Sequence, residues 1–285
     1  MKNTLLSFGH GYSAQALGRH LIPRGWQVIG TSRDPENLPA ISARGATAIH
    51  WPGDDISGAL ASATHLLISV APNAEGDPVL NALRGQITAI APQLKWVGYL
   101  STIGVYGNHD GAWVNEDTPL TPATKRGKLR AFAEAEWQAL AAEIGLPLHI
   151  FRLAGIYGPN RGPFAKVRKG TARRIIKPNQ LFSRIHVEDI ATVLAASIAR
   201  PTPGRIYNVC DDNPAPPQDV IAYAAELLGL PIPPTEDFTT AEMTDMARSF
   251  YAESKSVSNA RIKSELGVAL KYPTYQVGLQ SLLES

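Results

Sequence analysis

The sequence predicts an α/β protein, a doubly wound parallel sheet with a smaller C-terminal lobe. Three observations carry this. Short apolar runs alternate with helical patterns over the first half of the chain, as parallel strands and crossover helices require. A glycine-rich turn, Gly9-His10-Gly11-Tyr12-Ser13-Ala14, separates the first apolar run from the first helical pattern. The 285 residues are 44% hydrophobic and 18% charged, which supports a sizeable core and excludes a disordered chain. A prior of roughly 100–200 residues per domain favours two lobes sharing that core.

Strands are expected at residues 4–8, 27–30, 47–50, 66–70, 96–100 and 148–152. Between the first two, Ala14, Leu17, Leu21 and Ile22 share one helical face, and Gly25 closes the helix. Residues 128–143 repeat the device, with Leu129, Phe132, Trp137 and Leu140 as a core-facing stripe. After Arg152, proline-rich joints at residues 201–203, 214–217 and 231–234 bracket further elements. The expected organisation is a dinucleotide-binding domain over residues 1–156, rejoined by 185–212, with 157–184 and 213–285 as the smaller substrate lobe. Residues 258–267 read as a capped surface helix of that second lobe.

Composition excludes several function classes. Lys and Arg number 27 against 25 Asp and Glu, so bulk charge gives no case for nucleic acid or an anionic membrane. Cys210 is alone, which rules out an internal disulfide and fits a reducing, cytoplasmic compartment. The apolar opening is too short for a signal-peptide core, and no run approaches the ~18 apolar residues of a membrane span. The seven histidines are scattered without a metal-ligand spacing, so no metal is expected. Neither a G-x-S-x-G elbow nor a G-x-x-x-x-G-K-[ST] loop is present. Lys166, Arg168, Lys169, Arg173, Arg174 and Lys177 form a local basic run. It reads as a solvated face or as a contact for a phosphorylated or nucleotide-linked substrate, ahead of nucleic acid, because no aromatic residue interrupts it.

The turn at residues 9–14 has the form G-x-G-x-x-A in a strand–turn–helix context. Gly9 permits the tight turn, Gly11 lets a pyrophosphate approach the backbone, and Ala14 keeps helix and strand close. The helix start, with Tyr12 and Ser13, offers unpaired N–H groups to the phosphates. This is a Rossmann-type dinucleotide turn. At the end of the second strand no acid occupies residues 30–33, and Arg33 can face a 2′-phosphate, helped by Ser32 or Thr31. NADP(H) is therefore expected over NAD(H). Pro35 favours an extended exit from the strand, which turns Asp34 outward.

With these residues placed, the chain resembles the extended short-chain dehydrogenase/reductase superfamily, the NAD(P)-dependent epimerase/dehydratase group. The resemblance spans nearly the whole chain. Residues 101–107 (STIGVYG) resemble the strand-end segment with the family's catalytic hydroxyl, here Thr102, set against a strand-end threonine with structural duties alone. Residues 116–122 match its acidic, proline-marked loop, while 152–159, 184–190 and 207–209 resemble three later signatures. Anchored on Pro119, Pro122 and Gly127, the family's Tyr-x-x-x-Lys pair falls on Arg126 and Arg130. A guanidinium stays protonated and cannot serve as a general base. By the resemblance, Arg130 can still bond the nicotinamide ribose, and Arg126 either binds an anionic substrate group or sits in solvent. Tyr106 and Tyr157 lie in segments that approach the family's cleft, so either phenol is a candidate proton donor, against the ordinary reading of packed tyrosines. Arg184 and His186 are candidate substrate contacts, with loop orientation the favoured role for His186.

The leading reading is an NADP(H)-binding enzyme of an atypical branch, transferring hydride on a carbonyl or sugar-nucleotide carbon between the lobes. The alternative is a non-catalytic NADP(H)-dependent sensor or regulatory protein, motivated by the lost tyrosine. The partners in view are a small-molecule substrate and a second copy of the chain, with nucleic acid and membrane set aside.

Overall fold

The computed structural model describes residues 2–283. Its first strand, β1 (Thr4–Phe8), is buried along its whole length. The chain leaves it through the glycine turn into α1 (Tyr12–Leu21), and Gly25 in the left-handed region lets it double back to β2 (Gln27–Ser32). It continues through α2 (Leu38–Ser42), β3 (Thr47–His50), α3 (Ser57–Ser62), β4 (His65–Ile68), α4 (Pro78–Ile90) and β5 (Trp96–Thr102). A short β6 (Trp113–Val114) precedes the long α5 (Lys125–Ile144), which leads into β7 (Leu148–Leu153).

The second half is built of shorter pieces. β8 (Gly155–Tyr157), α6 (Phe164–Arg168), β9 (Arg174–Ile176), β10 (Arg184–His186), α7 (Val187–Ala199) and β11 (Ile206–Val209) follow in turn. The chain ends with α8 (Pro217–Leu227), β12 (Thr235–Asp237), α9 (Asp245–Phe250), β13 (Ser256–Val257), α10 (Ala260–Leu266) and α11 (Tyr275–Ser281).

Seven strands form one parallel sheet in the order β11-β7-β5-β4-β1-β2-β3. Connections run one way from β1 to β3 and the other way from β4 onward, the doubly wound pattern expected from the sequence. Successive residues of a strand face opposite sides, so Leu5 joins the core beneath α1 and α7, while Leu6 joins the core beneath α4 and α5. A smaller core of Tyr157, Phe164, Val167, Val220, Tyr275 and Leu279 holds together α6, α8 and α11. β8 pairs with β10, and β9 with β12, in two-stranded ribbons.

Two details depart from the sequence reading. α5 begins at Lys125, because Thr124 caps it by accepting the N–H of Gly127, and its stripe is narrower than expected. Trp137 and Leu140 are fully buried, but Phe132 is 56% exposed, one helical step off the core-facing side. The expected surface helix at residues 258–267 instead plugs the larger core, with Ile262 and Leu266 buried alongside residues of α7 and β11. Among the described residues no helix is long and apolar enough to cross a membrane.

Candidate functional site

The chain order reverses between β1 and β4, so the crevice for a ligand opens at the C-terminal end of β1. The glycine turn lies there. Gly9 has φ +75°, and its N–H donates to Thr31 Oγ1 at 3.0 Å. The N–H of His10 donates to the carbonyl of Thr31 at 2.8 Å, tying the turn to the end of β2. Thr31 is thereby a support of the turn. The His10 ring packs inward on Gly30, where a Cβ would stand 2.5 Å from the ring, and burial lowers the imidazole to about 4. A neutral His10 thus explains a glycine in the middle of a strand.

Gly11 caps α1 in extended conformation, and a Cβ there would meet only the Gly9 carbonyl, at 3.9 Å. Gly11 sets no side chain over the α1 N-terminus, whose unpaired N–H groups are the ones that could hold a cofactor pyrophosphate. Ser13 borders the cavity described below, while Ala14 is fully buried against the sheet. Tyr12 is used differently from its neighbours. Its hydroxyl donates to the carbonyl of Pro159 at 2.8 Å, and Arg161 covers its ring, so it clasps α1 to the loop after β8. At the end of β2, Arg33 is exposed and free of ion pairs among the described residues. Asp34 faces outward and caps the next turn, accepting the N–H of Glu36 at 3.0 Å. The Ser32 hydroxyl is engaged with the Asp34 main chain, which leaves the guanidinium as the group available to a phosphate.

From this crevice runs a cavity of about 730 Å³, bordered by Ser13, Ser69, Thr102, Arg126, Arg130, Tyr157, Arg161, Phe182, Arg184 and Tyr275. Thr102 ends β5 and caps the turn after it, its Oγ1 accepting the Gly104 N–H at 3.2 Å. Arg130 projects from α5 and hydrogen-bonds the carbonyls of Leu100 at 2.8 Å and Val70 at 3.2 Å, so its position is set by the ends of the central strands. Arg126, one helical turn earlier, stacks over Phe250 of α9 at 4.5 Å. Arg184 is half-buried and, among the described residues, its guanidinium hydrogen-bonds only main-chain carbonyls, of Phe182 at 2.8 Å and Ala215 at 3.1 Å. Burial lowers its guanidinium, and the nearby Asp211 works against that shift. Among the described residues no cluster of His, Cys, Asp and Glu is placed to hold a metal ion.

The two candidate phenols are otherwise engaged. Tyr106 is fully buried and stands outside the cavity lining. Its hydroxyl accepts from Arg152 at 2.9 Å and donates to Asn208 Oδ1 at 2.7 Å. Tyr157 borders the cavity with its ring, but its hydroxyl lies over Gly278, reaches towards the Thr274 carbonyl at 3.5 Å, and is raised well above the usual phenol range by burial. His186, expected among the substrate contacts, also lies off the cavity. It caps α7 by accepting the Glu188 N–H at 3.2 Å and is wedged between Tyr157 and Tyr272, with burial holding it near 4 and neutral.

Sequence reading missed how the resembling segments meet. Arg152 and Glu134 form a buried ion pair at 2.8 Å beneath the strand ends. Ser101 donates to the same carboxylate, and Tyr106, Asn208 and Glu116 extend the network, with the Asn208 N–H on Glu116 Oε1 at 2.8 Å. Each partner satisfies another's buried valence, which makes the floor of the cleft rigid. Also unforeseen were Glu253 and Lys255, both on the cavity wall. No local spacing signals them.

The fold is of the extended short-chain dehydrogenase/reductase type, as in NAD-dependent epimerases and dehydratases. No protein-family model matches the chain. At 64% identity, a TM-score of 0.94 and 99% coverage of both chains, it belongs to the same family as a conserved, functionally unknown protein of Silicibacter pomeroyi DSS. Protein YeeZ of Escherichia coli K12 is 28% identical over 279 residues, which cover 93% of this chain and 94% of YeeZ. A Methylobacillus flagellatus protein, provisionally described as an NAD-dependent epimerase/dehydratase, is 28% identical with a TM-score of 0.71, covering 99% and 98% of the two chains. The UDP-glucuronic acid 4-epimerase of Bacillus cereus, solved in complex with NAD, shares the fold at a TM-score of 0.78 with 16% identity, over 99% and 98% of the chains.

Proposed function

We propose that the chain is an NADP(H)-dependent oxidoreductase of the epimerase, dehydratase or reductase kind, acting on a carbonyl or sugar-nucleotide carbon. One observation supports this most: a single cavity joins Ser13 at the dinucleotide turn, Thr102 and Arg130 at the strand ends, and Arg184 in the smaller lobe. When bound, the cofactor supplies or takes up a hydride. The remaining work falls to the chain. Gly9, Gly11, Ser13 and the start of α1 fit the pyrophosphate, and Arg33 the adenosine phosphate. Arg130, fixed by two strand-end carbonyls, fits the nicotinamide ribose, and Thr102 can orient a substrate oxygen. Arg184, a half-buried cation with no ion pair among the described residues, suits an anionic substrate group, with Arg126 and Arg161 also on the cavity wall.

The test is calorimetric titration of both nicotinamide cofactors, followed by absorbance measurements with carbonyl compounds and nucleotide sugars. Failure to bind either cofactor sinks the proposal. The replacement of tyrosine and lysine by Arg126 and Arg130 favours a second reading, an NADP(H) sensor without catalysis. Tight binding with no turnover on any substrate supports that reading.

A further inference from the structure

The cleft holds a buried ion pair that none of the roles above employs. Residues 253–257 form a strap pinned to the loop after β5. The Ser254 N–H donates to Asn108 Oδ1 at 2.8 Å, and its carbonyl accepts from His109 at 3.0 Å and Gly111 at 3.1 Å. β13 then pairs with β6. On this strap the Lys255 ammonium donates to the Gly107 carbonyl at 2.6 Å and to Glu253 Oε2 at 2.8 Å. The two side chains are only 7% and 10% exposed, yet both residues border the cavity.

Their hydrogen-bonding capacity is incompletely used. An ammonium has three donors, and two are engaged. Glu253 Oε1 is buried without a partner among the described residues. A buried charge pair with open valences is a poor way to stabilise a fold, since an apolar pair fills such a site at less cost. Lys255 is also bonded to Gly107, which ends the 101–107 segment that holds Thr102. The other polar candidates fall away: guanidinium groups hold their protons, and the hydroxyls of Tyr106 and Tyr157 are turned elsewhere.

We propose that Lys255 and Glu253 are the proton-transfer pair of this cleft, replacing from the strap the tyrosine and lysine absent from α5. The inference rests on the cofactor-dependent reading above. In the reducing direction a reduced nicotinamide, when bound, would supply a hydride with its electron pair to the substrate carbonyl carbon. The C=O π pair moves onto oxygen, which takes a proton from Lys255 Nζ. That N–H bond breaks, its electrons remain on nitrogen, and the amine regains a proton from solvent. The carbonyl ends as an alcohol and the nicotinamide as its oxidised form. Glu253 holds the amine through Oε2 and offers Oε1 to a neighbouring substrate hydroxyl.

The test uses the full chain. Isotopic reductive methylation with formaldehyde and a borane, read by peptide mass spectrometry without cofactor, should modify Lys255 alongside exposed Lys128, because Lys255 borders the cavity. Turnover of NADPH is then followed on α-dicarbonyls, aldehydes, ketones and nucleotide sugars. Lys255→Arg keeps the ion pair but cannot release a proton, and should cut turnover roughly a hundredfold or more with NADPH affinity unchanged. Glu253→Gln should alter the pH profile of kcat. The double variant Lys255→Met with Glu253→Gln, which leaves no lone buried charge, should fold, bind NADPH and be inactive. A parent that binds no NADPH overturns the proposed function and the pair with it. A parent that binds NADPH overturns the pair alone if Lys255 stays unlabelled, if Lys255→Arg remains as active as the parent, or if no panel member is turned over.

Discussion

Replacing Arg33 with alanine should erase a preference for NADP(H) over NAD(H). The two cofactors differ by one phosphate on the adenosine ribose, and Arg33, at the end of β2, has no ion pair among the described residues. A hydrogen bond to a charged group contributes about 1.5–3 kcal/mol. Each 1.4 kcal/mol is tenfold in affinity, so the gross range is about ten- to a hundredfold. Arg33 is exposed, and the Debye length of about 8 Å at physiological salt screens such a contact, which favours the lower end. Asp34 does not oppose it, because its carboxylate is committed to the Glu36 N–H. Ser32 adds little, because its hydroxyl closes the local turn. The assay is calorimetric titration of NADPH and NADH into parent and variant at two salt concentrations. The expected result is about a tenfold preference in the parent that shrinks with salt and disappears in Arg33→Ala, with NADH affinity unchanged. Equal affinities in the parent, or the same ratio in the variant, would refute the reasoning.

Gly11→Val should abolish cofactor binding while leaving the melting temperature nearly unchanged, because a Cβ there makes only an ordinary contact with the Gly9 carbonyl, at 3.9 Å, with φ at −87°; undiminished affinity would move the pyrophosphate site elsewhere. Glu134→Gln should destabilise the fold by about 3–5 kcal/mol in urea unfolding, since it strands a buried Arg152, and a loss below about 1 kcal/mol would contradict a rigid ionic floor. Asp211 is raised from 3.8 to about 7, chiefly by burial. The folded chain therefore holds this proton up to near pH 7 while the unfolded chain releases it near 3.8, so the contribution is present below 3.8 and lost as pH rises through 7. Asp211→Asn should accordingly match the parent near pH 4 and exceed it by up to about 4 kcal/mol at pH 8, and a gap independent of pH would rule this out.

The elements legible in the sequence are those whose cause is local. Alternating apolar runs and helical faces placed the six expected strands of the parallel sheet, because side-chain periodicity depends only on near neighbours. The dinucleotide turn was equally visible, since Gly9 and Gly11 answer to the backbone geometry of their own loop. The outward turn of Asp34 followed from Pro35 beside it.

Other features waited for tertiary structure. Phe132 sits in an apolar stripe by spacing, yet it is exposed, because what covers a helix face is set by the neighbouring elements. Gly30 is explained only by the ring of His10, which folds back from another segment. Tyr106 and Tyr157 stood in promising segments, but Arg152, Asn208 and the Thr274 carbonyl take up their hydroxyls. Glu134 meets Arg152 across 18 residues, and Lys255 meets Gly107 across 148. Hydrogen bonds and ion pairs act over a few ångströms in space, and a pairing across such separations leaves no periodicity in the chain. The sequence by itself therefore determined the sheet and the turn that fits a dinucleotide, while folding alone decided which charged side chains face one another across the cleft.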